Sequence, residues 1–229
     1  MREEQKRALD AFVEAARAAF GADLASVVLF GSAAEDRLRA TSDINVIVLL
    51  RSFDPAKGRA FREPLGLASA AIRLRPMFLL ESETEAAAAL FAVKFSDIRR
   101  RHRVLWGSDP FAALRTPRSA AISRLKQVLL NLSLRLRKKF VEEGREERVA
   151  IVAADAAGPL RACAMEILEL EGATAASPKE ALLKLAGTTL EALSQARETG
   201  ALPSGRAEPL LLELIALADS MRARVERLT

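Results

Sequence analysis

Apolar positions recur along residues 4–20, EQKRALDAFVEAARAAF, at Leu9, Phe12, Val13, Ala16 and Phe20. Spacings of three and four predict a first helix with one buried face, and Gly21 suits its end. Two apolar runs follow. LASVVLF predicts a short buried strand. DINVIVLL predicts a second, apolar enough to be covered on both faces. Gly31-Ser32 opens a turn between them, and AAEDRL has room for one helical turn. Residues 51–58, RSFDPAKG, read as a loop. RAFREPLGLASAAIRL predicts another helix, with Pro64 at its start or at a kink. RPMFLL predicts a third strand, which Pro76 assigns to an edge or a strand start. ESETEAAAALFAVKF is mostly helical in pattern. SDIRRRHRVLWGSDPF reads as a polar connection closed by a Gly-Ser-Asp-Pro turn.

From about residue 117 the period changes. RSAAISRLKQVLLNLSLRLRKKFVEEG predicts one long amphipathic helix stopped by Gly144. REERVAIVAADAAGPLRACAMEILELEG predicts a second, bent near Gly158-Pro159. SPKEALLKLAGTT opens with Ser177 as a cap, Pro178 in the first position and Glu180 in the capping-box position. A last helix spans about 207–227. Its segment LLLELIALADSM is apolar around most of its circumference, which predicts full burial. No strand pattern occurs in this half. The chain therefore divides near residue 115 into an α/β domain, 1–115, and an all-α helical bundle, 116–229.

Composition narrows the chemistry. Half of the 229 residues are hydrophobic and 28% are charged, which is a globular balance and excludes a disordered chain. The abundance of Ala and Leu favours helices. Net charge is +5 and the isoelectric point is near 9.8. The basic runs RRRHR and RLRKK carry no interleaved aromatics, so no stacking platform for single-stranded nucleic acid is evident. The charge suits either a solvated arginine-rich surface or attraction to a polyanion, nucleotide or RNA. Cys163 is the only cysteine, so neither an internal disulfide nor a cysteine zinc site can form. Its apolar helical setting marks a buried thiol. His102 is the only histidine, and any Ser-His or Cys-His catalysis would have to pass through it. The charged N-terminus has no apolar core of a signal peptide, and no apolar run reaches membrane-spanning length. The expectation is a cytoplasmic protein without membrane attachment.

The stretch LFGSAAEDRLRATSDINVIVLL, residues 29–50, carries the candidate chemistry. A tight turn offers backbone N–H groups and the Ser32 hydroxyl to phosphate oxygens. On a strand, residues two apart point the same way, so Asp43 and Asn45 face one site while Ile44 and Val46 enter the core. Carboxylates on neighbouring strands can fix magnesium against a triphosphate.

Gly-Ser, a spacer and an acid at a strand start resemble the DNA polymerase beta-like nucleotidyltransferase superfamily, whose signature continues as Asp-x-Asp with a third Asp on a later strand. The resemblance covers about residues 25–110. It implies an α+β architecture: a nucleotidyltransferase-fold α/β domain with a small mixed sheet, then the helical bundle. By resemblance, Gly31 and Ser32 bind nucleotide, with Arg37 and Arg39 as further phosphate ligands; Asp43 and Asn45 hold Mg2+ and act in catalysis. The second acidic position is Asn45, which offers a neutral oxygen and no charge. The third falls on Pro76, which offers no ligand. The chain also resembles, to its end, a bacterial subgroup with Asp-x-Asn, a Pro in the third strand and an all-helical C-terminal half. Asp36 and Asp97 are candidate replacement ligands. Arg73 and Arg75 flank the cleft as further phosphate grips. Glu81, Glu83 and Glu85 suit a helix start. The helical half resembles bundles that accompany such domains, including the HEPN group, but it has no histidine for HEPN ribonuclease chemistry. Three functions follow from the resemblance. One is an NTP-dependent transferase with a degenerate metal site, acting on a small-molecule or protein acceptor. Another is a catalytically inactive nucleotide- or RNA-binding protein. The last is an antitoxin-like interaction module. The bundle would serve an acceptor, a protein partner or a homodimer.

Overall fold

A computed structural model describes every residue except Arg37, Arg39, Ala40, Thr41, Thr188, Thr189 and Thr229. The chain forms two compact units. One comprises Met1–Ala89 with Phe95–Arg115, the other Leu90–Lys94 with Thr116–Thr229.

The first unit is built on a four-stranded mixed sheet, ordered β3-β2-β1-β4. The strands are β1 (Leu24–Phe30), β2 (Ile44–Leu50), β3 (Leu74–Leu80) and β4 (His102–Gly107). β1 pairs antiparallel with β2 and with β4, while β2 and β3 run parallel. The parallel pair needs a crossover, which α2 (Pro55–Ala60) and α3 (Arg62–Ile72) provide. Along β2 the side chains alternate between two cores. Ile44, Val46, Val48 and Leu50 pack with residues of α1 (Glu3–Phe20) and α3. Ile47 and Leu49 pack with Ala88 of α4 (Thr84–Leu90), Phe95 and Ile98 of α5 (Ala92–Arg100), and Phe111. A central strand clothed on both faces must be apolar throughout, which is why DINVIVLL carries no polar alternation.

Two expectations for this unit change. RSFDPAKG is not all loop, because Asp54 Oδ1 accepts the Ala56 N–H at 2.7 Å and Pro55 starts α2. The expected polar connection 96–111 contains both the end of α5 and the whole of β4. β4 supplies the hydrogen bonds that β1 would otherwise lack on its outer side. It is half buried, with apolar Val104, Leu105 and Trp106 in succession, so neither alternation nor a long apolar run announces it. Pro64 stands at the third position of α3, where no backbone donor is required. Pro76 does sit on an edge strand.

The second unit is helical. α6 (Arg118–Glu142), α7 (Glu146–Leu170) and α10 (Ala207–Glu226) pack together, with α8 (Pro178–Ala186) and α9 (Glu191–Thr199) against α7. Ser177 Oγ accepts the Glu180 N–H and the Glu180 carboxylate accepts the Ala176 N–H, which fixes the start of α8. α7 continues as one helix through Pro159, at the cost of one backbone hydrogen bond. α10 is not buried all round: Leu210, Leu211 and Leu214 are interior, but Leu212 is 47% exposed. Ser133, fully buried on α6, donates to Asp219 of α10, whose carboxylate also receives Arg137. Among the described residues no helix is long and apolar enough to cross a membrane.

Cys163 lies in the core of α7, and burial pushes its thiol up to about 12, with nearby Glu166 adding to the shift. At neutral pH the native thiol therefore stays protonated and enclosed. A thiol reagent is expected to modify it only as fast as the second unit opens, so the modification rate in rising urea should track unfolding. The unfolded thiol ionises near 9.0 and the native one near 12. The folded state binds more protons between those values, so this group's contribution to stability is intact below pH 9 and declines above it. Rapid labelling without unfolding, read by absorbance, contradicts the assignment.

Candidate functional site

The candidate site lies at the end of the sheet where β1 stops and β2 starts. Phe30 is paired with Asn45, and the register is regular from Val27↔Val48 to that point. The turn that follows β1, Gly31–Ala33, lies against β2. Gly31 leaves the strand with φ 76°, a conformation that favours glycine, and its N–H is bonded to Arg101 O at 2.9 Å. Gly31–Ala33 then form one 3₁₀ turn. Asp43 precedes β2 and is held there by the Ile44 N–H bonded to Arg73 O.

The surroundings of Asp43 are cationic. Arg73 Nε donates to Asp43 Oδ1 at 3.0 Å, and Arg75 Nε is 3.9 Å from the same oxygen. Arg73 caps α3 in the left-handed conformation, φ 53° and ψ 40°. Glycine is the usual residue there, and a side chain costs about 1–2 kcal/mol. That conformation turns the chain from α3 into β3, where its guanidinium meets Asp43.

Register corrects the position of the third ligand. On β3 the neighbour of Asn45 is Arg75, and Pro76 pairs with Val46. Paired residues of parallel strands share a face, so Pro76 belongs to the face of Val46, against α1 and α3. The residue that stands beside Asn45 on the site's face is therefore a cation.

The other acids are also engaged. Asp97 receives a two-pronged contact from Arg101, which reaches Glu35 as well at 3.1 Å. Asp36, in the left-handed region at φ 56°, lies 3.4 Å from the N-terminal amine and 3.8 Å from Arg103. Glu83 accepts the Leu80 N–H at 3.0 Å, and Glu85 stands in the first turn of α4, as helix-opening acids do. No group of three His, Cys, Asp or Glu able to hold a metal ion occurs among the described residues. Arg37 and Arg39 lie outside them.

A divalent cation on a triphosphate needs several anionic oxygens around it. This site provides one carboxylate shared by two guanidinium groups, and one carboxamide. The pair Asp43–Arg73 is exposed and contributes only about 0–1 kcal/mol, so the deficit lies in the number of carboxylates rather than in the strength of that contact. The residues present do not fit the metal that the resemblance implies.

His102 opens β4 on the far side of Phe30, where the two are paired. Its Nδ1 faces the carbonyls of Ile98 and Arg99, and its Nε2 faces Asp109 Oδ1 at 3.1 Å. Its ring packs edge-on against Phe111. With oxygen acceptors at both nitrogens, the ring ties β4 to α5 and to the following loop and offers no base to a substrate. Burial pushes the Asp109 carboxyl up, but the Phe111 N–H and the His102 ring outweigh it and hold the group below its ordinary value.

The sequence matches no protein-family model and no curated protein. Among solved structures it resembles spectinomycin adenyltransferase AAD(9) from Enterococcus faecialis, determined with ATP and spectinomycin. The TM-score is 0.66 at 12% identity, over 94% of this chain and 98% of that one. The likeness extends over both units, and the chain has the fold of that adenyltransferase.

Proposed function

We propose that the protein is a nucleotide-binding member of this fold that grips triphosphate with arginines and lacks metal-dependent transfer. The observation that carries this reading is the cationic environment of Asp43, with Arg73 and Arg75 on one of its oxygens. Guanidinium groups bind phosphate oxygens in pairs and need no divalent ion. In this reading the Gly31 turn and Ser32 receive further phosphate oxygens. Arg37 and Arg39, in the spacer, join them on the strength of the sequence resemblance. Binding of RNA, of a protein partner or of a second copy through the helical unit belongs to the same class of function, and the net charge of +5 supports a polyanion.

Calorimetry with ATP tests the reading. Binding is expected in EDTA and in magnesium alike, and Arg73→Gln with Arg75→Gln should weaken it by about tenfold or more, as loss of charged hydrogen bonds does. Binding that appears only with magnesium overturns it. So does release of pyrophosphate in the presence of an acceptor such as an aminocyclitol. That outcome would restore the transferase reading, which rests on the likeness to an adenyltransferase across both units. Absence of heat with every NTP removes both and leaves an interaction module.

A further inference from the structure

A second cavity, unconnected with Asp43, lies beside the edge strand. Its volume is about 310 Å³, and Phe20, Phe53, Phe61 and Phe78 line it together with Arg59 and Arg62. Phe78 is paired with Val48, three positions along β3 from Arg75, so it sits on the opposite face of the sheet from Asn45. We propose that this cavity binds a small planar aromatic carboxylate.

Three observations carry the proposal. The walls are aromatic: Phe20 and Phe61 meet edge-on at 5.2 Å between centroids, and Phe61 meets Phe78 edge-on at 6.3 Å. Phe20 and Phe61 are themselves buried, so Phe53 and Phe78 are the rings open to a further ring, at the angles aromatic pairs favour. Two of these large apolar rings are left in water, Phe53 at 56% exposure and Phe78 at 39%. Phe53 reaches its place because α2 carries Gly58 beneath it, where a Cβ would stand 3.2 Å from the ring. The mouth is also purely cationic. No lining residue is acidic, and neither the Arg59 nor the Arg62 guanidinium has a hydrogen-bond or ion-pair partner among the described residues. A flat apolar ring and one carboxylate satisfy the walls and the rim together. A neutral aromatic leaves the guanidinium groups unmatched, and an aliphatic acid leaves the rings without a stacking partner. The volume lies at the small end of ligand sites, which suits one or two fused rings.

The test uses 2-naphthoate and its uncharged analogue 2-naphthylmethanol on the full chain. Naphthoate is expected to bind saturably, about tenfold or more tighter than the alcohol. In Arg59→Gln/Arg62→Gln, naphthoate should fall to the affinity of the alcohol. Both arginines are exposed on the helical connection, so the variant should retain the parent melting curve. Amide shifts in NMR spectra should concentrate at residues 53–62 and 76–79. Lack of saturable binding, unchanged affinity in the arginine variant, or shifts confined to other residues each overturn the proposal. ATP binding should not change in that variant.

Discussion

Replacing Gly107 by Ala is expected to lower the unfolding midpoint of the first unit by roughly 10–20 °C, a loss of about 3 kcal/mol. Gly107 closes β4 opposite Ser26, with φ 84°. A Cβ there would stand 2.2 Å from Ala25 O and 2.8 Å from Ser26 Cα. Both obstacles are backbone of β1, so no side chain can swing aside to relieve them. An L-residue at that φ costs about 1–2 kcal/mol on its own. Forcing the strands apart adds an overpacking cost of about 1–3 kcal/mol. The displaced segment is also the site's foundation, because β1 carries Phe30 and Gly31 to their places. Trp106, the sole tryptophan, is the adjacent residue, and its fluorescence reports this unit alone. An alanine variant that melts with the parent by that signal would show that β4 does not end against Ala25 and Ser26.

Much of this architecture is legible in residue patterns, and the failures share a cause. β1 and β2 are read from two apolar runs because a strand covered on both faces leaves no polar position. The cap of α8 is read from Ser177-Pro178 and Glu180 because capping is local chemistry, confined to four residues. β4 is missed because its membership depends on β1, far away in sequence, and its own residues are half buried and preceded by three arginines. α2 is missed because the Asp54-Pro55 start, though present, opens a helix of only six residues. The site shows the same division. Gly31, Ser32, Asp43 and Asn45 belong to a single strand–turn–strand connection, which a linear motif describes. The position on β3 requires the register of a parallel pair joined by a crossover of more than twenty residues. A shift of one residue exchanges the faces of a strand, and that shift separates Pro76 from Arg75. Asp36 and Asp97 are plausible ligands by residue type, but the N-terminal amine and Arg103 reach Asp36 from distant segments, and Arg101 engages Asp97 from four residues on.

The double substitution Asn45→Asp with Arg75→Asp is expected to give the protein a divalent-cation site that the parent lacks. Positions 45 and 75 are direct neighbours on parallel strands, about 4.8 Å apart. Asp43 follows on the same side, two residues from position 45. The exchange therefore converts one acid, one amide and one cation into three carboxylates, and it removes one of the two guanidinium groups now beside Asp43. Three adjacent carboxylates repel one another without a cation, so the empty variant should be less stable than the parent. Metal binding to the folded state alone then adds about 2.7 kcal/mol at a hundredfold excess over Kd. Manganese should accordingly raise the variant's melting midpoint and leave the parent's unchanged, and its electron paramagnetic resonance signal should diminish on addition of the variant only. Asn45→Asp alone should bind more weakly, because Arg75 still neutralises the neighbouring charge. A folded double variant that is indifferent to manganese would mean that residues 45 and 75 do not share a face. The proposal that arginines rather than a metal grip phosphate at this site depends on that juxtaposition and would fail with it.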